Sequence, residues 1–305
     1  MEGPLIKPSR LRPGDTIGIA APASPFNQNA FETGVGVLES MGFTVKIPES
    51  LFKRRGYLAG SDDERAALLM DLLGDETVRA ILCARGGFGS MRLLPLLDLE
   101  KIRRQRKIVV GFSDVTALLV ALYNKCGLVT FHGPMVTTLG KGLEGTSSAL
   151  MAAISSQSPL VLAPSRPVIL HGGQASGPVI GGNLTTLSHL MGTPFEPVFK
   201  GHLLFLEDRG EAPYRIDRML SQLQLGGHVD TVAGVILGSF DDCGSLEEVY
   251  DIVRRVFQKR PIPVLAGFDI GHGTDNMTLP LGLQADLNTV EGTLRFKESA
   301  VMDGE

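Results

Sequence analysis

The stretch Lys107-Ile108-Val109-Val110-Gly111-Phe112-Ser113-Asp114-Val115-Thr116-Ala117-Leu118 changes its hydrophobic rhythm in the middle. Ile108-Val109-Val110 is an unbroken run of β-branched residues, the pattern of a strand buried on both faces. From Asp114 the residues fit a helix, which Gly127 stops after Cys126. The same alternation runs upstream. Strands are expected at 15–21, 43–47 and 78–84, with helices at 29–41 and 61–73. The second of these helices opens at Ser61 with Glu64 three residues on, a capping box, and stops at Gly74. Strands spaced by helices pair in parallel through right-handed crossovers, so this half is expected to be a layered α/β domain with a parallel sheet.

Between about 140 and 177 the rhythm is lost. Ser, Pro and Gly become frequent, and a linker with some extended structure is expected. A smaller, strand-rich α/β unit follows. Its helices are expected at 184–191, 213–225 and 246–258, and its strands at 202–207, 232–237 and 264–269, with short strands near 278–281 and 293–296. The expected division is 1–140, 141–177 and 178–305. A length of 305 residues, more than one core usually takes, agrees with two domains.

Composition narrows the function classes. The net charge is −4, and the one basic cluster, Arg103, Arg104, Arg106 and Lys107, reads as a solvated helix end, so nucleic acid is not an expected partner. Cys83, Cys126 and Cys243 are odd in number and form no CxxC, which argues against a disulfide framework. The N-terminus has no apolar leader core, and no apolar run approaches the ~18 residues of a membrane span. A cytoplasmic protein without membrane contact is expected. With no H-E-x-x-H and no paired histidines at i, i+4, neither a metal nor another cofactor is expected.

Four segments could carry chemistry. Ser113 sits where strand meets helix, with Gly111 two places before it; there backbone N–H groups can stabilise developing negative charge. Val115 stands where G-x-S-x-G has its second Gly, and a plain helix cap is the competing role for the serine. Arg85-Gly86-Gly87-Phe88-Gly89-Ser90 follows a strand but lacks the Lys-Ser/Thr of a phosphate loop and the full G-x-G-x-x-G. It is left as a source of oxyanion N–H groups or as a tight turn. Glu207-Asp208 ends an apolar strand, the end at which open α/β sheets bind ligands, or is only a polar turn. His272 lies between Gly271 and Gly273 directly after a strand, and His132 in Phe131-His132-Gly133-Pro134 is its competitor as a base.

Taken in order, these segments resemble the serine peptidase family of LD-carboxypeptidases, which also includes immunity peptidases acting on microcin C-type aminoacyl nucleotides. The resemblance is carried by Pro13-Gly-Asp-Thr-Ile-Gly-Ile-Ala-Ala-Pro22, Ala84-Arg-Gly-Gly-Phe-Gly89, Gly111-Phe-Ser-Asp114, Gly181-Gly-Asn-Leu184, Leu206-Glu-Asp208, Pro213-Tyr-Arg-Ile-Asp-Arg218, Gly271-His-Gly273 and Leu279-Pro-Leu-Gly282. It implies a Ser113–His272–Glu207 triad, with oxyanion donors at the backbone of Asp114 and of Gly86 or Gly87. It also implies a small peptide substrate, the murein tetrapeptide, cut between an L-diamino acid and D-alanine in cell-wall recycling, and a homodimer. Arg85, Arg209 and Arg215 are the candidates to pair substrate carboxylates. Aminoacyl-nucleotide hydrolysis and a non-catalytic nucleotide- or metabolite-binding protein are the rival readings.

Overall fold

The computed structural model describes residues 4–141 and 144–304. The first half supplies strands β1 (Thr16–Ala20), β2 (Thr44–Lys46), β3 (Val78–Cys83), β4 (Ile108–Gly111) and β5 (Thr130–His132). They alternate with helices α1 (Gln28–Ser40), α2 (Asp62–Gly74), α3 (Leu99–Gln105) and α4 (Thr116–Cys126). All pairings among these five strands are parallel, as the alternation implies. The apolar runs are buried throughout: Val78, Ala80, Ile81 and Leu82 in β3 and all of β4. The capping box of α2 forms as expected. Ser61 Oγ accepts from Glu64 N at 3.2 Å, and Glu64 Oε2 accepts from Ser61 N at 2.8 Å.

The segment 141–177 departs from the expected linker. After α5 (Val136–Leu139) it holds α6 (Glu144–Ser155), the short strands β6 (Val161–Leu162) and β7 (Val168–His171), and the start of β8 (Gln174–Asn183); residues 142 and 143 lie outside the described residues. The physical reason is weak local signal. Helix α6 buries only Thr146, Leu150, Ala153 and Ile154, diluted by Ser, Gly and Thr. Strands β6 and β7 are edge strands whose partners, Leu294–Arg295 and Val264–Ala266, come from much later in the chain.

The remaining strands are β9 (Leu203–Arg209), β10 (Gly234–Asp241), β11 (Val264–Ala266), β12 (Leu279–Leu281), β13 (Gln284–Asn288) and β14 (Thr293–Phe296), with helices α7 (Leu184–Leu190), α8 (Pro213–Leu225) and α9 (Leu246–Phe257). Eight strands form a second, mixed sheet in the order β6-β14-β13-β8-β9-β10-β11-β7. Its centre, β8-β9-β10-β11, is parallel and its flanks antiparallel. Strand β12 is the exception. It crosses to the first sheet and pairs antiparallel with β5, Leu279 opposite His132. The link that carries it there, from β11 to β12, contains His272. One apolar cluster includes Val110 and Phe131 from the first sheet and Phe205 and Ile236 from the second, so burial locks the two halves against each other.

Ser61→Ala removes the acceptor for Glu64 N at the start of α2. It should lower unfolding free energy by about 0.5–2 kcal/mol, read as a lower urea midpoint at unchanged m-value; an unchanged midpoint would show that the cap contributes nothing.

Candidate active site

Ser113 follows β4 with φ at 61°, in the left-handed region. A non-glycine residue there costs roughly 1–2 kcal/mol and persists only where its surroundings enforce it. The enforcement is visible. The carboxylate of Asp114 accepts from Gly89 N at 3.2 Å, Ser90 N at 2.8 Å and Ser90 Oγ at 2.6 Å, tying the serine turn to the glycine-rich loop. Buried Arg65 donates to Gly89 O at 3.0 Å and to Pro22 O, and Ser24 Oγ accepts from Phe88 N at 3.1 Å. The loop therefore lies hard against the serine: a Cβ on Gly86 would sit 3.1 Å from Ser113 Cβ and 3.3 Å from its Oγ. Gly87, at φ 107°, has no room for a side chain against Ser24.

The serine does not cap the helix. Phe112 occupies the cap position of the short turn Ser113–Val115, and no side chain caps either that turn or α4. The departure at Val115 also has a reason. A Cβ on Gly111 would meet Val115 Cγ1 at 2.6 Å, so the bare Gly111 makes room for this buried valine.

Glu207 is in β9 and has no solvent exposure; it is not part of a polar turn. Its Oε2 lies 2.7 Å from His272 Nδ1, while Oε1 has no hydrogen-bond partner among the described residues. Burial pushes the Glu207 pKa up, with the histidine opposing. For His272, burial pulls the pKa down, but the hydrogen bond and charge of Glu207 outweigh it and the net direction is up. The pairing fixes the tautomer logic: Nδ1 faces the carboxylate, leaving Nε2 free for chemistry. Gly271, at φ 125°, permits this approach, because a Cβ there would lie 2.7 Å from both Glu207 Oε2 and Ser239 Oγ. Ser239 Oγ in turn accepts from His272 N at 2.9 Å and Gly273 N at 3.2 Å, and Asn276 Oδ1 accepts from Gly271 N at 3.0 Å.

Asp208, beside Glu207, is spent on structure. Its carboxylate accepts from Asn183 Nδ2, Thr185 N, Thr185 Oγ1 and Arg209 N, all at 2.8–2.9 Å. His132, the competitor in sequence, is fully buried with neither ring nitrogen hydrogen-bonded among the described residues. It lies against Phe112 and Phe205, and burial pushes its pKa down to about 3.

Ser113 and His272 line one cavity of about 510 Å³ together with Arg85, Gly86, Gly87 and Arg209. The His272 ring stands edge-on to Phe112 at 4.9 Å between centroids. Arg215 does not line this cavity; it projects from α8 and pairs with Glu211 at 3.3 Å. A larger hollow of about 600 Å³ beside α8 and α9 contains none of these groups, so size alone does not locate the site. Sequence reasoning missed Lys141, which lines the cavity from the segment read as a linker, and Ser239 and Asn276, which hold the histidine loop. None of the three sits in a recognisable motif. Only the histidine–glycine loop hinted that some hydroxyl or amide must hold its backbone.

The chain matches two family models, the LD-carboxypeptidase N-terminal domain over residues 17–133 and the LD-carboxypeptidase C-terminal domain over residues 176–287. It is 39% identical over 316 residues to the probable murein peptide carboxypeptidase of Bacillus subtilis (strain 168), covering 98% of this chain and 96% of that protein. The structure of MccF in complex with glutamyl sulfamoyl guanosine superposes with a TM-score of 0.91 at 28% identity, over 97% of this chain and 100% of that one. The muramoyltetrapeptide carboxypeptidase from Oxalobacter formigenes superposes with a TM-score of 0.82 at 31% identity, over 92% and 97%.

Gly271→Ala should force the His272 ring away from Glu207. With the counter-charge gone and burial retained, the His272 pKa, followed by NMR of the imidazole protons, should fall below the ordinary ~6.5. A value that stays raised would mean the pair tolerates the side chain and that the glycine is not what permits the contact.

Proposed function

This chain belongs to the LD-carboxypeptidase family, and from that membership we propose that it is a serine hydrolase acting on murein tetrapeptides, releasing the terminal D-alanine from an L-diamino acid in cell-wall recycling. The observation that carries the reading is the convergence on one cavity of a strained Ser113 that caps no helix and a His272 whose Nδ1 is committed to buried Glu207. Ser113 Oγ attacks the scissile carbonyl while His272 Nε2 takes its proton. The same proton then goes to the departing amine of D-alanine, and water repeats the cycle to free the acyl group. Glu207 holds the imidazole in the tautomer with its proton on Nδ1 and stabilises the imidazolium. Backbone N–H groups of Asp114 and of Gly86 or Gly87 hold the oxyanion, each worth about 2.7–4 kcal/mol of barrier. Arg85 and Arg209 attract the substrate carboxylates.

A cytoplasmic setting fits the three unpaired, buried cysteines, and no described helix is long and apolar enough to cross a membrane. The likeness to MccF keeps aminoacyl-nucleotide hydrolysis as the rival. The chain has no Trp to stack on a base, which favours the peptide. The discriminating measurement is kcat/KM on a tetrapeptide ending in L-diamino acid–D-alanine against an aminoacyl sulfamoyl adenosine. The tetrapeptide should win by at least roughly 10²-fold; the reverse order would transfer the function to the rival.

Two further outcomes test the chemistry. Ser113→Ala should lower kcat by about 10⁴-fold or more with the fold intact, and near-normal turnover in a folded variant would exclude the serine mechanism. Because the imidazolium must lose its proton before it can act as base, kcat/KM should rise with pH through an apparent pKa above ~6.5, the direction set by Glu207. In Glu207→Gln the surviving activity should titrate lower, and an unmoved acid limb would assign that ionisation to another group.

A further inference from the structure

Helix α6 meets the histidine loop at one buried hydroxyl. Thr146, in the first turn of the helix, is 2% exposed. Its Oγ1 accepts from Asn276 N at 3.1 Å and donates to Asp275 Oδ1 at 3.3 Å. A hydroxyl carries one donor and two acceptor positions, so a single group can make both contacts. Asn276 is also buried, and its Oδ1 accepts at 3.0 Å from the N–H of Gly271, the residue directly before His272. Contacts thus run from Thr146 through Asn276 and Gly271 to the base. Met277 N donates to Asp269 O at 2.7 Å and closes the loop on itself, so its two arms move together.

The ends of this relay are anchored in different halves of the molecule. Helix α6 goes with the nucleophile: Leu150, Ala153 and Ile154 join the apolar cluster that contains Val109 and Val110 of β4, and Ile154 O accepts from Leu11 N at 2.8 Å. On the other side, Ser239 of β10 and Glu207 of β9 hold His272 from the second sheet. Those two fix the imidazole relative to its carboxylate. They do not fix it relative to Ser113, which follows a strand of the first sheet.

We propose that Thr146 is a positioning residue, whose hydroxyl sets the His272 base against the Ser113 nucleophile by tying the histidine loop to the half that carries the serine. This role rests on the serine mechanism proposed above. Thr146 does not line the cavity that Ser113 and His272 share, but with His272 it lines a neighbouring hollow of about 460 Å³. A binding role would therefore be read in KM and a positioning role in kcat.

The test compares Thr146→Val, which keeps the shape and deletes both hydrogen bonds, with Thr146→Ser, which keeps both. On a tetrapeptide ending in L-diamino acid–D-alanine, the valine variant should lose about 10- to 100-fold in kcat with KM within about twofold, the scale of a base misplaced by up to about 1 Å. The serine variant should restore most of that loss. The acid limb of the pH profile should stay at its wild-type position, because Ser239 and Glu207 still hold the imidazole. Labelling of Ser113 by a fluorophosphonate, which does not depend on the substrate, should slow in step with kcat. Thermal melts report folding, and Thr146→Ala makes the same comparison if the valine variant is unstable. Unchanged kcat and labelling in the valine variant, a loss confined to KM, a displaced acid limb, or a serine variant as impaired as the valine one overturns the positioning role. Wild type that is labelled but leaves the tetrapeptide intact overturns D-alanine release alone, and the ratio of labelling rates then decides the role of Thr146. Wild type that is neither labelled nor active overturns both.

Discussion

A carboxylate sealed from water needs a partner, and that of Glu207 is the imidazole of His272 at 2.7 Å. Much of the surrounding architecture follows from this contact. Gly271 has no side chain because a Cβ would collide with the carboxylate, and Ser239 and Asn276 spend their polar atoms on the backbone around it. Strand β12 fixes the far end of the same segment in the first sheet. Burial drives the carboxylate toward its neutral form, and the pairing offsets this while raising the histidine pKa. A base with a raised pKa is a stronger proton acceptor, which suits the step proposed for it.

The serine turn shows the complementary strategy. Its left-handed backbone is held by hydrogen bonds from the glycine-rich loop to Asp114, and Arg65 braces that loop from behind. Acids around the cleft thereby divide by how fully they are occupied. Asp114 and Asp208 are building material, saturated by backbone and neighbouring donors. Glu207 is committed to one imidazole. Residue type alone would have weighted them equally.

Much of the layered fold was legible in the chain because its signals are local. The β-branched run before Gly111, the capping box at Ser61 and the Pro213 start of α8 each report an interaction within a few residues, and each element formed close to its expected place. Elements with distant partners were not legible. Strands β6 and β7 carry too few residues to show a period, and α6 shows too few apolar ones. Strand β5, only Thr130–His132, was missed for the same reason. Of the candidate site, Ser113, Glu207 and His272 stand in ordered motifs, and Lys141 stands in none.

By itself the sequence determined the alternating strands and helices, the parallel pairing of the first sheet, and the residue types able to do acyl-transfer chemistry. These depend on side-chain periodicity and turn chemistry, which act over a few residues. Tertiary structure decided which acid meets which base. Ser113, Glu207 and His272 are separated by long stretches of chain, and only the burial of one shared apolar core, with β12 crossing from one half to the other, brings Ser113 and His272 to one cavity with Glu207 buried behind the histidine. It also decided that His132 is a buried core residue and that Arg215 faces away from the cavity, because exposure and partners belong to the packed molecule rather than to the residue.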